Sequence, residues 1–284
     1  VPERIIILSD LHLGRAHNAA VSAEALRPLW RGASHLVING DTAEVHHPRN
    51  WARAARQTIQ LFDLCEADGV QLTLLSGNHD PFVSDIRHLH LAGGEVFVTH
   101  GDVLHPAIAP WSPAAARMRE VHDAALDAIE PESHSLLEAR LKAAQHASHA
   151  EWTDLEREAG RSSVLNMLMR PWKLIKVLHY WRVMPRLAAE FLREHAPDAR
   201  YMLIGHTHRP GIWTIGERTI INTGCFGFPG RPWAAVLENG ELTIWRISNL
   251  HRSGYRFDDR PLARFALTCM SNASRAAAQP TAHA

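Results

Sequence analysis
The stretch LIGHTHRPG, residues 203–211, carries an apolar run straight into two histidines one residue apart. Side chains at i and i+2 of a strand share a face, so His206 and His208 are expected to project together where the chain leaves a sheet. Gly205 is expected to let the backbone turn there. Two imidazoles aimed at one point suggest a bound metal, yet the chain holds 20 histidines, and one such pair decides nothing by itself. The question passes to the ends of the other apolar runs.

Those runs are RIIIL (4–8), HLVIN (35–39), VQLTLL (70–75), EVFVT (95–99) and YMLIG (201–205). Each is short, aliphatic and bounded by polar or turn residues, which is the pattern of a buried strand. Helical patterns or turns separate them, so the sequence predicts an α/β core with sheets covered by helices. After residue 205 come GIWTI, RTIIN, WAAVLE and ELTIWRI, divided by Gly, Pro and Asn-Gly turns. Asn239-Gly240 is a strong hairpin signal, and this half reads as an antiparallel continuation of the sheet. Between Trp111 and about His195 lies a long helical stretch with almost no strand signal, which reads as an inserted cap. Residues 1–270 are thus expected to form a single domain with a cap at about 111–195. The small, polar, Ala-rich segment 271–284 reads as a disordered tail.

Ligands of α/β sheets gather outside the carboxyl ends of the strands. The first run ends in SDLH, with Asp10 and His12, and the second in NGDTAE, with Asp41. The third ends in SGNHD, with Asn78, His79 and Asp80, the fourth in THGD, with His100, and the fifth delivers His206 and His208. Singly, each residue has an ordinary explanation as a helix cap, a turn or a loop donor. Those explanations do not account for nitrogen or oxygen donors at every one of five strand ends, most of them beside a glycine. The set points to a metal centre.

The series DLH, GD, GNHD, HG and GHTH, in this order from residue 10 to residue 208, resembles the calcineurin-like metallophosphoesterase superfamily. The resemblance implies a β-sandwich flanked by helices and a two-metal site. Asp10, His12 and His208 would hold one metal, Asn78, His100 and His206 the other, and Asp41 would bridge them. It implies hydrolysis of a phosphate ester or pyrophosphate by a hydroxide shared between divalent ions roughly 3.5–4 Å apart. His79, without a metal to hold, is expected to protonate the departing oxygen; Asp80 is expected to orient it or to cap the turn. Imidazole, carboxylate and amide oxygen suit manganese first, then iron or zinc, and the absence of expected cysteine ligands argues against a closed structural zinc.

Composition bounds the partners. Hydrophobic residues make up 46% and charged residues 21%, as in an ordinary soluble protein, and 30 basic residues balance 30 acidic ones. That balance lacks the excess positive charge of a general nucleic-acid binder. Cys65, Cys225 and Cys269 are odd in number and far apart, which fits a reducing compartment. With no signal pattern and no apolar run near the roughly 20 residues of a membrane span, the cytoplasm is the expected location.

The cap is acidic in its first part, Glu120–Gly160, and basic in its second, Arg161–His195. Within the second, RPWKLIKVLHYWRVMPRL (170–187) mixes Arg170, Lys173, Lys176, Arg182 and Arg186 with Trp172, Leu174, Ile175, Leu178 and Trp181. It reads either as a cap helix with a solvated charged face or as a surface for anionic headgroups and acyl chains, in peripheral contact with an inner membrane. SDLHL, GDTAE, HGD and GHTHRP are similar to the UDP-2,3-diacylglucosamine pyrophosphatase branch of the superfamily, which implies a lipid-linked pyrophosphate substrate. One departure is His79, where many members of that branch carry Arg. Alternatives are a general phosphomonoesterase or phosphodiesterase and a nuclease, since SDLHLG and GNHD also resemble the DNA-repair nuclease branch. A non-catalytic scaffold on this fold is a further alternative, against which the intact ligand positions and His79 count. Arg15, Arg209 and Asn222, just beyond the motifs, read as surface or turn residues within reach of a substrate phosphate.

Overall fold
A run of Ile, Val and Leu can bury both faces of a strand only when something covers each face. The computed structural model of the chain shows how this is arranged. It describes residues 3–15, 21–46, 49–129, 135–155, 171–227, 230–249 and 254–268. The chain runs β1 (Arg4–Leu8), α1 (Ala23–Leu26), β2 (His35–Asn39), α2 (Trp51–Ala67), β3 (Gln71–Leu75), β4 (His88–Leu91) and β5 (Val96–Thr99). Three helices follow, α3 (Ala115–Asp127), α4 (Leu136–Leu155) and α5 (Pro171–His195). The rest is β6 (Tyr201–Ile204), β7 (Gly211–Ile215), β8 (Arg218–Asn222), β9 (Trp233–Glu238), β10 (Glu241–Asn249), β11 (Tyr255–Phe257) and β12 (Ala263–Ala266).

The strands form two sheets, ordered β11-β10-β9-β1-β2-β3 with β12 beside β10, and β4-β5-β6-β8-β7. Alternation along each strand decides what packs where. Ile5 and Ile7 of β1 meet Val96, Val98, Leu203 and Ile221 of the other sheet in a shared core. Ile6 and Leu8 point the opposite way, onto Leu26, Trp30, Leu61 and Leu64 on the first helical side. Phe97, Met202, Ile204 and Ile220, on the outer face of the second sheet, pack on Met118, Leu141, Met184 and Leu192 of α3, α4 and α5. The result is a helix–sheet–sheet–helix sandwich, as the resemblance implied.

One expectation is corrected. The half after residue 205 does not simply continue one sheet. β7 and β8 join β6, with β8 parallel to β6, whereas β9 and β10 cross to the first sheet, where β9 pairs antiparallel with β1. β4, β11 and β12 carry little strand signal in the sequence. HLHL carries a histidine at every second position, so its strand signal is weak, and β11 and β12 are only three and four residues long.

Asn39 ties the two sheets together at the end where the motifs emerge. Its Nδ2 donates to Thr99 O at 2.9 Å and Leu203 O at 3.3 Å, and its own carbonyl lies 2.9 Å from His100 Nδ1. The carboxyl ends of β1, β2 and β3 from one sheet and β5 and β6 from the other are thereby fixed side by side.

The three cap helices lie between β5 and β6 in the chain. Arg170, part of the basic half of the cap around it, Cys269 and the tail 271–284 lie outside the described residues. Among the described residues, no helix is long and apolar enough to cross a membrane.

Candidate metal centre
The strands stop before the ligands begin. β1 ends at Leu8 and β6 at Ile204, and Asp10 (φ 51°), His12 (φ 48°), Asp41 (φ 51°), His206 (φ 63°) and His208 (φ 56°) all take left-handed backbone conformations. Strand pleating is therefore not what aligns the histidine pair; a sharply curled loop is. Non-glycine residues in this region cost about 1–3 kcal/mol each and persist where the surroundings over-determine them. Gly205 serves a different purpose from the one expected. Its φ is not left-handed, but a Cβ there would collide with the Asp10 carboxylate and Ser9. Gly77 likewise leaves room for the Asp41 carboxylate and its amide.

The curled loops bring all seven expected ligands together, six of them buried and His208 at the rim with 35% of its side chain exposed. The donor atoms of Asp10, His12, Asp41 and His208 lie within 4.8 Å of one another. His12 Nε2 is 3.0 Å from His208 Nε2, and His208 Nε2 is 3.2 Å from Asp10 Oδ1. Beside them, Asn78 Oδ1 lies 2.8 Å from His206 Nδ1 and 3.3 Å from His100 Nε2. Asp41 stands between the groups, Oδ2 facing His12 Nε2 at 3.8 Å and Oδ1 facing His100 Nε2 at 3.4 Å.

The outward nitrogens identify what the inner ones offer. His12 Nδ1 bonds Glu44 Oε1 at 3.0 Å, His100 Nδ1 bonds Asn39 O, and His206 Nε2 bonds Ile108 O at 3.0 Å. Each of these acceptors holds the ring's N–H, leaving a lone pair on the nitrogen that faces inward. The lone pairs of these three buried rings then converge with carboxylate and amide oxygens, and such acceptor-against-acceptor contacts are satisfied by a cation. The residues fit a pair of divalent metals.

The charges tell the same story. Burial pushes the Asp41 carboxyl up, but His100 and His79 hold it well below its ordinary value. Glu44 is likewise held well below normal, against burial, by His79, His12 and Arg15. In return His100, opposed by burial and raised by Asp41, reaches about 10, and His12, opposed by burial and Arg15 and raised by Cys225 and Glu44, reaches about 9. His206, lowered by burial and by the charge of His100, falls to about 4 and stays neutral. Buried carboxylates demand positive charge here, and divalent ions meet that demand in place of protons.

Asp80 sits apart from the metal-facing groups. Its carboxylate accepts from Gly77 N (2.9 Å), Asp41 N (3.1 Å), Thr42 N (2.6 Å) and Ala43 N (3.3 Å). Burial and Asp41 push its carboxyl up to about 6 against these amides. The group on the His79 side chain is Glu44, with Oε2 3.2 Å from Nδ1, so the orienting contact expected of Asp80 is made by Glu44 instead. His79 is also flanked edge-on by the rings of His12 and of Trp152 from the cap, at 4.7 and 5.1 Å between centroids. Trp152 Nε1 donates to Asn78 O at 2.8 Å.

Arg15 lies 2.7 Å from Glu44 Oε1, Arg209 lies over the Trp181 ring, and Asn222 is buried, donating to Gly205 O and Thr207 Oγ1. Three participants escaped the sequence reading. Glu44 stood in the quoted GDTAE, three residues after Asp41. Cys225 lies in TGC just past β8, behind a glycine as Asp41, Asn78 and His206 are, and its donor atom is within 4.8 Å of those of His12 and His208. Burial raises its thiol, but His208 and His12 bring it down to about 6. Trp152 had no local signal, since only the docking of the cap brings it here.

Comparison with known proteins shows the family. The calcineurin-like phosphoesterase family matches residues 3–210, and the chain belongs to it. No curated protein sequence matches the chain. Among solved structures, a dimetal phosphatase from Danio rerio is similar at 14% identity, covering 87% of this chain and 96% of its own, with a TM-score of 0.45. Vps29 from Entamoeba histolytica, complexed with zinc, is similar at 11% identity over 93% and 98%, with a TM-score of 0.44. Vacuolar protein sorting 29 from Cryptosporidium parvum is similar at 10% identity over 93% and 98%, with a TM-score of 0.43.

The geometry separates Asp80 from His79 experimentally. Asp80→Ala strips four buried amides of their acceptor, each unmet donor costing about 1–3 kcal/mol. Its denaturant midpoint is expected to fall markedly, with loss of metal following loss of structure. His79→Ala is expected to leave the unfolding free energy within about 1 kcal/mol of the parent protein. Equal stability of the two variants would contradict the bracing role.

Proposed function
We propose that the protein hydrolyses a phosphate ester or pyrophosphate at a pair of divalent metals, manganese first in order of fit and iron or zinc next. The observation that carries this reading is the bridging position of Asp41, with one oxygen toward His12 and the other toward His100. Asp10, His12 and His208 would hold one metal, and Asn78, His100 and His206 the other. The metals, when bound, supply Lewis acidity to a phosphoryl oxygen and lower the pKa of the attacking water.

The chain's own residues supply placement and a proton. Glu44 accepts from His12 and stands against His79 Nδ1, so one carboxylate orients both rings. Arg15 in turn fixes Glu44. With Nδ1 held, His79 presents Nε2 toward the site, 4.0 Å from Asp41 Oδ2, and its side chain keeps 22% exposure. An imidazole oriented by a carboxylate and open to the cleft is placed to protonate a departing oxygen.

A finer reading concerns the substrate's remote end. Trp172 (56% exposed), Leu174, Ile175 (66% exposed) and Leu178 are exposed apolar residues on α5, interleaved with Lys173, Lys176 and Arg182. Apolar and cationic groups on one exposed helix suit an anionic amphiphile, which supports a lipid-linked pyrophosphate and peripheral membrane contact. Trp181 is not part of this surface: its Nε1 donates to Thr207 O at 3.0 Å, inside the GHTH loop.

Three outcomes test these statements. Asp41→Asn should lower bound metal, measured by elemental analysis, and turnover together, because the bridge neutralises both cations; full metal content with full turnover would refute the bridge. His79→Ala should slow a poor alkyl leaving group by roughly 10²- to 10⁴-fold and an activated aryl ester far less, at unchanged metal content. Equal slowing of both would remove the proton-donor role. Finally, Ile175→Glu with Leu178→Glu, or Lys173→Glu with Lys176→Glu, should impair a lipid-linked pyrophosphate while sparing a small aryl phosphate, since energy from remote contacts serves only substrates that make them. A proportional loss on both substrates would defeat the lipid reading.

A further inference from the structure
Cys225 is buried, at 1% exposure, in the loop that follows β8, and nothing in the seven-ligand scheme uses it. A small apolar residue would fill such a place equally well, so the surroundings of the sulfur decide whether it does more. The loop is clamped to the Asp10 turn. Ser9 Oγ is 2.7 Å from Thr223 Oγ1 and 3.3 Å from Gly224 O, and Phe226 N donates to Asp10 O at 3.1 Å. The sulfur itself accepts from Gly227 N at 3.1 Å, the arrangement that favours a thiolate over a thiol. Its two metal-competent neighbours are His12 and His208, and all three donor atoms lie within 4.8 Å of one another.

Resting on the two-metal reading, we propose that Cys225 supplies a thiolate ligand to the metal held by Asp10, His12 and His208, making that half of the site softer than the half held by Asn78, His100 and His206. Soft sulfur ligands favour zinc and iron, whereas oxygen-rich sets suit manganese. The two halves therefore differ in preference, zinc or iron being favoured more strongly beside Cys225 than beside Asn78. Asp41 serves both. The thiol proton leaves when the metal binds.

Cobalt(II) tests this directly, because sulfur ligation gives an intense near-ultraviolet charge-transfer band that nitrogen and oxygen ligands do not. The wild-type chain reconstituted with cobalt, its bound metal counted by elemental analysis, is expected to show the band. So is C65S/C269S, in which Cys225 is the sole remaining cysteine. C225S is expected to lose the band, whether it keeps both ions or loses the one in this half. Its preference for zinc over manganese should also fall by at least the ~10-fold that loss of an outer-shell partner alone costs in metal affinity. Two bound cobalt ions per wild-type chain without the band, or a band that survives in C225S, overturns the proposal and leaves the two-metal reading standing. No cobalt bound to the wild-type chain overturns both. Should C225S fail to fold, the wild-type chain and C65S/C269S decide alone.

Discussion

Three carboxylates, Asp10, Asp41 and Glu44, are buried to 2% exposure or less around the single ring of His12, and the centre is organised around making that tolerable. An isolated buried carboxylate is costly, and three together would repel. Each is therefore surrounded by imidazoles, amides or Arg15, and the inward lone pairs of His12, His100 and His206 leave a gap in that compensation which cations fill. The residue types follow from this one constraint. Nitrogen donors stand beside oxygen donors, so a divalent pair would supply the positive charge the carboxylates demand and meet the inward lone pairs at once.

Holding such groups face to face requires backbone that ordinary strands cannot supply. Five of the seven expected ligands sit in left-handed conformations, and the strain is borne by braces that never face the metals. Asp80 gathers the amides of residues 41, 42 and 43 and joins them to Gly77, locking the loop after β2 to the loop after β3. Asn39 joins the two sheets beneath them, and Asn222 secures Gly205 and Thr207. These are polar residues whose hydrogen bonds are wholly internal. Their work is to keep strained loops from relaxing once the cations that reward the strain are removed.

The strands and their ends were legible because each expresses a local rule. Buried strands read as aliphatic runs, and RIIIL, HLVIN, GIWTI and RTIIN match β1, β2, β7 and β8 residue for residue. The donors were legible because they cluster at strand ends in a fixed chain order. What escaped depends on tertiary contact. Nothing near Glu44 marks it as the partner of His79, 35 residues away, and Cys225 meets His12 only because β8 lies parallel to β6 and sends its loop back over β1. The pleat argument for His206 and His208 reached the right pair through the wrong geometry. Periodicity cannot announce a left-handed turn at a histidine, because that conformation is imposed by surroundings and not preferred by the residue.

The cap takes part in the centre through both of its longer helices. From α4, Trp152 donates to Asn78 O and lies edge-on to His79, while Gln145 donates to Pro81 O. From α5, Trp181 donates to Thr207 O between the paired histidines, and Arg209 bonds back to the Trp181 carbonyl at 3.2 Å. Each helix thus grips a different ligand loop, one from each sheet. A substrate that pulled on the exposed amino-terminal turns of α5 would be pulling on the same rigid element that positions His206 and His208. The helix that exposes Trp172, Ile175 and Leu178 is thereby also the helix that braces the loop between His206 and His208.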